Sequence, residues 1–182
     1  MHANFQPSLN LTLKFEGGWV DNKHDPGGAT NMGITLNSLA LYRNKPVSSA
    51  DLRLLTRGEA AEIYHQMFWH PLCADDLPAG VDVVLFDYAV NSGHPAAVRT
   101  VQALLDCPVD GILGPNTLAA LAHGSSTELI RGISDQRLNF LKRLSTFRWF
   151  GAGWTTRVRS VETEAMRIAT SAYAVSSHQN SN

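Results

Sequence analysis

Two carboxylates and a hydroxyl fall close together near the N-terminus: Glu16, Asp25 and Thr30, in the strings Glu16-Gly17-Gly18-Trp19-Val20 and Asp25-Pro26-Gly27-Gly28-Ala29-Thr30-Asn31-Met32-Gly33-Ile34. Glu16 ends a short apolar segment, Asp25 follows nine positions later and Thr30 five beyond that, so a glycine-rich loop or hairpin could fold all three around one cleft. That layout suits acid-catalysed hydrolysis of a glycosidic bond. A glycosidic oxygen leaves only if it is protonated as the bond breaks, so one carboxyl must keep its proton near neutral pH, which burial against apolar groups achieves. Phe15 and Trp19 are available to desolvate Glu16. A second carboxylate then either activates a water from the opposite face, at about 6.5–9.5 Å, or attacks directly at about 5–5.5 Å. Asp25 is the expected second carboxylate, the loop spacing suits the first, inverting course, and the Thr30 hydroxyl is placed to orient the water. Asp-Pro-Gly-Gly is at the same time ordinary turn chemistry, because Pro26 presets its own backbone angle and Gly27 or Gly28 accepts a positive one.

The combined string resembles the signature of the glycoside hydrolase family 108 muramidases, roughly Glu-Gly-Gly-Tyr, then Asn-Asp-Pro, then Asp-Pro-Gly-Gly, Thr and Gly-Ile. The resemblance continues through Phe86-Asp87-Tyr88-Ala89-Val90-Asn91-Ser92-Gly93, Gln102, Asp110-Gly111, Gly114-Pro115, Thr117, Gly153-Trp154 and Arg157, and so covers most of the chain. It implies a lysozyme-like, all-α fold with a small β-hairpin. It also implies cleavage of the β-1,4 bond between N-acetylmuramic acid and N-acetylglucosamine in peptidoglycan, with Glu16 as the catalytic acid. Relatives include phage endolysins and the muramidase type tied to typhoid toxin secretion. Two positions depart from the pattern: Trp19 stands for the usual Tyr and keeps an aromatic wall for a sugar ring, and Asp21-Asn22-Lys23 stands for Asn-Asp-Pro. The second departure moves an acid by one position and leaves Asp25 as the safer second carboxylate. Tyr88, Asn91 and Ser92 join Trp19 as expected substrate contacts, although Asn91 and Ser92 also read as helix-ending chemistry before Gly93.

The elements expected to position these residues are mostly helices. Leu9, Leu11, Leu13 and Phe15 alternate as in a strand, whereas Phe5, Leu9 and Leu13 repeat as on a helix, and the family resemblance decides for helix. Trp19–Val20 and Met32–Thr35 are expected to pair as the hairpin, with a helix from Thr35 to about Tyr42. Thr56-Arg57-Gly58-Glu59 reads as a capping box opening a helix through about Trp69, stopped by Pro71. Ala79 to Asn91 suits a buried helix, in which Asp87 is either a structural acid or a group supporting the site. The stretch from Gln102 through Asp110-Gly111 to Thr117 resembles a peptidoglycan-binding repeat and reads equally as a helical elbow holding the core. Ser125 opens a long helix, Phe147 to Trp154 reads as an aromatic-rich break, and a final helix runs to about Val175. Trp149 and Trp154 suit either sugar stacking or a buried hinge. The expected organisation is a catalytic region over 1–95, a peptidoglycan-binding-like helical region over 96–175 packed on the same core, and a flexible tail over 176–182.

At 182 residues and 44% hydrophobic content the chain can bury one sizeable core. A net charge of −1 argues against nucleic acid as a partner. It conceals a basic C-terminal part, since residues 128–182 carry eight Lys or Arg against four acids, suited either to an anionic wall polymer or to solvated helix faces. Two cysteines without a CxxC pair and seven histidines without HExxH give no metal site, and no cofactor is expected. No segment approaches the about 20 apolar residues of a membrane span, and Met1 to Asn10 lacks the features of a signal peptide. The expectation is therefore synthesis in the cytoplasm and action on peptidoglycan in the periplasm or wall, with a holin or export machinery letting the protein out. Two rival activities share these residues. A lytic transglycosylase would use Glu16 as acid and then base, and a noncatalytic wall-binding adaptor would rely on the Asp110 region and the aromatics.

Overall fold

A computed structural model describes residues 4–20 and 28–179 of the chain, with side chains as far as 174. Asp25, with Asp21, Asn22 and Lys23, lies outside the described residues. The architecture is mainly α with one two-stranded antiparallel sheet, as expected. The chain divides into two compact units, one from Phe5 to Met67 and one from Phe68 onward that also takes in Asn4.

In the N-terminal unit, helix α1 (Phe5–Glu16) buries Phe5, Leu9 and Thr12, so the four-residue repeat governs and the alternating pattern does not. The chain then passes through Val20 to the hairpin β1 (Thr30–Asn31) and β2 (Ile34–Thr35), in which Thr30 faces Thr35 and Asn31 faces Ile34. Val20 joins the same ladder from the other side, exchanging two backbone hydrogen bonds of 2.9 and 2.8 Å with Thr30. The expected pairing of Trp19–Val20 with Met32–Thr35 is corrected: Val20 pairs with Thr30, and Met32 is in the turn. The reason is local. Met32 and Gly33 both take positive φ, 50° and 74°, which makes the two-residue turn whose twist suits a tight hairpin.

Helix α2 (Leu36–Arg43) starts where expected, because the Thr35 hydroxyl accepts from the Ser38 N–H at 3.1 Å. A short helix α3 (Ser49–Arg53) follows, opened by a complete capping box between Ser48 and Asp51. In α4 (Arg57–Tyr64) Thr56 caps the Glu59 N–H, but the Glu59 carboxylate does not close the box; it holds Arg43 at 2.7 and 2.9 Å. The helical path continues to Trp69 as a π-helical turn over His65–Trp69, and Pro71 then falls in a 3-10 turn, His70–Leu72. The π turn begins directly after Tyr64, and such turns often accompany functional sites.

The C-terminal unit is built on α5 (Val81–Ser92), which is buried without interruption from Val81 to Ala89. A helix apolar on nearly all sides must be surrounded, and α6 (His94–Leu104), α8 (Ser126–Lys142) and α9 (Phe147–Gln179) pack on it. Between α6 and α7 (Pro115–His123) the chain turns through the Asp110-Gly111 elbow. Gln102, itself buried, organises that elbow: its amide NH₂ donates to Asp110 Oδ1 at 2.7 Å and the Ile112 carbonyl at 3.0 Å, while its amide oxygen accepts from the Gly111 N–H at 2.8 Å. Every one of these groups is spent on the turn.

The expected break at Phe147–Trp154 is absent, since α9 runs unbroken from Phe147 to Gln179. Gly151 allows this. A Cβ there would lie 2.6–2.8 Å from the Phe147 ring, so the glycine gives the ring room along the helix, where it meets Trp154 at 6.2 Å between centroids. Trp149 and Phe150 remain exposed, with the Arg148 guanidinium 3.6 Å over the Trp149 ring. Part of the basic charge is neutralised on helix faces, as Arg159 bridges Asp135 and Glu162 and Arg167 pairs with Glu164.

Asp87 is a structural acid. Only 1% exposed, it receives Arg137 Nη1 at 2.8 Å and a two-nitrogen grip from Arg157, with Nη2 at 2.8 Å and Nε at 3.0 Å, and so joins α5, α8 and α9. Burial alone pushes its carboxyl up, but the charges of Arg137 and Arg157 and their hydrogen bonds hold it below the usual carboxylate value. A carboxylate depressed on folding stabilises the fold above its unfolded value and loses that contribution as pH falls through the depressed one. Removing it leaves two buried arginines without a counter-charge, which costs about 3–5 kcal/mol. Asp87→Asn is therefore expected to lower Tm at neutral pH by roughly 6–20 °C, given about 2–4 °C per kcal/mol for a chain of this size. Calorimetry across pH should also show a flatter stability loss in the variant than in the wild type below roughly pH 4, where an unfolded aspartate begins to protonate.

Candidate active site

The C-terminal residue of α1 supplies the candidate acid. Glu16 ends the helix and Gly17 follows at φ 75°, turning the chain out of α1. Glu16 is half-buried, and its Oε1 is sealed from solvent. The hairpin turn comes up against this side chain. A Cβ on Gly33 would stand 2.5 Å from the Tyr64 hydroxyl, 2.9 Å from Glu16 Oε2 and 3.0 Å from Glu16 Cβ, so the carboxyl, the phenol and the turn converge on one point. Tyr64, only 1% exposed at the end of α4, donates its proton to the Met32 carbonyl at 2.9 Å. Thr30 sits in the middle of the small ladder, backbone-bonded to Val20 on one side and facing Thr35 on the other. Trp19 is half-buried with the Arg53 guanidinium 4.6 Å over its ring, and the Asn31 amide donates to the Leu52 carbonyl at 2.9 Å, so α3 steadies both flanks of the motif.

Glu16, Trp19 and Thr30 thus lie in the N-terminal unit, whereas Tyr88, Asn91 and Ser92 lie in the C-terminal one. There, Tyr88 and Ser92 line one cavity of about 570 Å³, within the size range of small-ligand sites, together with Arg99, Gln136, Phe140 and Arg143. The Tyr88 hydroxyl is 3.2 Å from the Thr100 hydroxyl, and the Arg137 guanidinium lies 5.1 Å over its ring. Asn91 does not line the cavity; its side-chain amide oxygen accepts the Ser92 hydroxyl at 3.1 Å. Helix α5 ends at Gly93, whose N–H returns to the Ala89 carbonyl at 2.8 Å.

The sequence reading missed Tyr64, Gly33 as a site residue, and Arg53. Tyr64 had no local signal, being a core aromatic on a helix far along the chain. Gly33 had one in principle, since a glycine between two short extended segments suits a tight turn. Cys73 and Cys107 are both free thiols.

Residues 9–93 match the family described as Glycosyl hydrolase 108. The chain is also similar to the solved structure of Brucella abortus SagA, at 41% identity over 91% of this chain and 95% of that one, with a TM-score of 0.82. The chain belongs to glycosyl hydrolase family 108. No curated protein matches it. Membership makes this family 108 chain a glycoside hydrolase with the activity of a peptidoglycan hydrolase, and its mainly α architecture with one hairpin is lysozyme-like. A wall hydrolase acts on the cell wall, and among the described residues no helix is long and apolar enough to cross a membrane.

The convergence on Gly33 has a direct consequence. Gly33→Ala adds a methyl group at a positive φ and into the space between phenol and carboxyl. The backbone strain alone is worth about 1–3 kcal/mol. We expect a lowered Tm and loss of most wall-hydrolysing activity, measured by thermal melting and by turnover of purified sacculi. An alanine variant with wild-type values of both would contradict the described turn.

Proposed function

We propose that this chain is an N-acetylmuramidase that cleaves the β-1,4 bond between N-acetylmuramic acid and N-acetylglucosamine, with Glu16 as the general acid. The observation that carries this reading is the placement of the Glu16 carboxyl at a helix end, one oxygen sealed from solvent and the other against the hairpin turn and the Tyr64 phenol. A carboxyl so held has one orientation from which to protonate a glycosidic oxygen, and proton transfer by a positioned acid contributes about 10²–10⁴-fold to rate. Asp25 completes the chemistry as base or electrostatic partner, and Thr30 orients the attacking water. Trp19 stacks on a sugar beside the acid; Tyr88 and Ser92, which line the C-terminal cavity, and Asn91, which bonds Ser92, are further candidate substrate contacts. The setting is host lysis or protein export across the wall, with a holin or export machinery giving access to peptidoglycan.

Glu16→Gln keeps the shape of the side chain and removes the transferable proton. It is expected to lower kcat on purified sacculi by about 10²–10⁴-fold, read by mass spectrometry of the soluble fragments. Equal fragment release by both proteins would sink the role of Glu16, and sacculus binding without release by the wild type would favour the adaptor.

A further inference from the structure

We propose that Tyr64 is a positioning residue for this reaction: its hydroxyl, anchored on the hairpin, fixes the Glu16 carboxyl in the orientation from which it transfers its proton. This rests on the reading of Glu16 as the general acid.

Two observations lead there. Tyr64 Oη and Glu16 Oε2 both approach the point where Gly33 lacks a Cβ, at 2.5 and 2.9 Å, so the two side chains share one small space and neither can swing through it without displacing the other. The phenol is itself immobilised, because Tyr64 is only 1% exposed and its O–H donates to the Met32 carbonyl at 2.9 Å. With its one proton committed to Met32, the Tyr64 oxygen offers lone pairs to its other neighbours. The arrangement therefore favours, by geometry, a carboxyl that is held still beside the turn.

The turn makes Tyr64 more than a wall. Met32, whose carbonyl anchors the phenol, stands at φ 50°, an uncommon conformation for a side chain of its size, and with Gly33 it forms the two-residue turn. Thr30, the proposed water-orienting residue, sits in the second pair from that turn. A single hydroxyl thus ties the end of α4 to the hairpin that carries Thr30 and presses on Glu16. Misplacing a reacting group by about 1 Å can cost about 10²-fold in rate.

The test is Tyr64→Phe, which keeps the ring and removes the hydroxyl. Tyr42→Phe serves as a control, removing from the same unit an exposed phenol that bonds Glu62. Both are compared with the wild type and Glu16→Gln for kcat and KM on solubilised glycan strands and for Tm. The expected result is a kcat lowered at least 30-fold in Tyr64→Phe, with KM within twofold and Tm within a few degrees of the wild type, and no change in Tyr42→Phe. A kcat within threefold of the wild type would overturn the proposal. So would a fall of kcat accompanied by a matching rise in KM and collapse of Tm, which would make Tyr64 a scaffold residue only. An inactive wild type or a fully active Glu16→Gln would instead overturn the reading of Glu16, and is visible in the same data.

Discussion

The N-terminal unit is arranged around one close approach, the hairpin turn at Gly33 against the Glu16 carboxyl and the Tyr64 phenol. Without a Cβ at that position, main chain can come within contact distance of a side chain that must otherwise be left room. The helix α1 delivers Glu16 and ends there, the Met32–Gly33 pair closes the turn, and α4 delivers Tyr64 to the Met32 carbonyl. The Arg53 guanidinium and the Leu52 carbonyl, both in α3, then hold Trp19 and Asn31 on the flanks. None of these interactions is strong by itself; exposed cation–π and neutral hydrogen bonds contribute about 1 kcal/mol each. Their value is that each removes a freedom from the same few atoms.

The C-terminal unit solves a different problem. A helix buried on nearly every side, α5, places Asp87 where an isolated carboxylate would be untenable, and two arginines from α8 and α9 supply the compensation. The cluster carries an excess positive charge, and Arg137 Nε has no hydrogen-bond partner among the described residues. Such a cluster is weak as a source of stability but selective about register, because sliding α9 along α8 would leave a charge unpaired. It also fixes the start of α5's last turns, from which Tyr88 and Ser92 reach the cavity.

What could be read in the sequence was what is encoded over a few residues. The end of α1 at Glu16-Gly17, the caps at Thr35, Thr56 and Ser125, and the stop at Gly93 follow from side chains bonding to neighbouring backbone, and each appears in the structure. The family motif carried the reaction class, which physics alone left open between a site and a turn. What could not be read depends on contacts distant along the chain. The arginines that settle the role of Asp87 lie 50 and 70 positions away, and nothing near Tyr64 announces that it meets Glu16. The aromatic run at Phe147–Trp154 misled for a related reason: a crowded sequence reads as a break until Gly151 is seen to accommodate the Phe147 ring. A hairpin in this stretch was legible, but its register hung on Met32 accepting a positive φ.

The proposed reaction is hydrolysis at the muramic acid side of the glycosidic bond by a proton from Glu16. It is tested most directly by digesting purified sacculi in ¹⁸O-enriched water and weighing the products. The expected products are fragments ending in reducing N-acetylmuramic acid that carry one ¹⁸O from solvent. Fragments ending in 1,6-anhydro-muramic acid without label, or label at reducing N-acetylglucosamine, would contradict it.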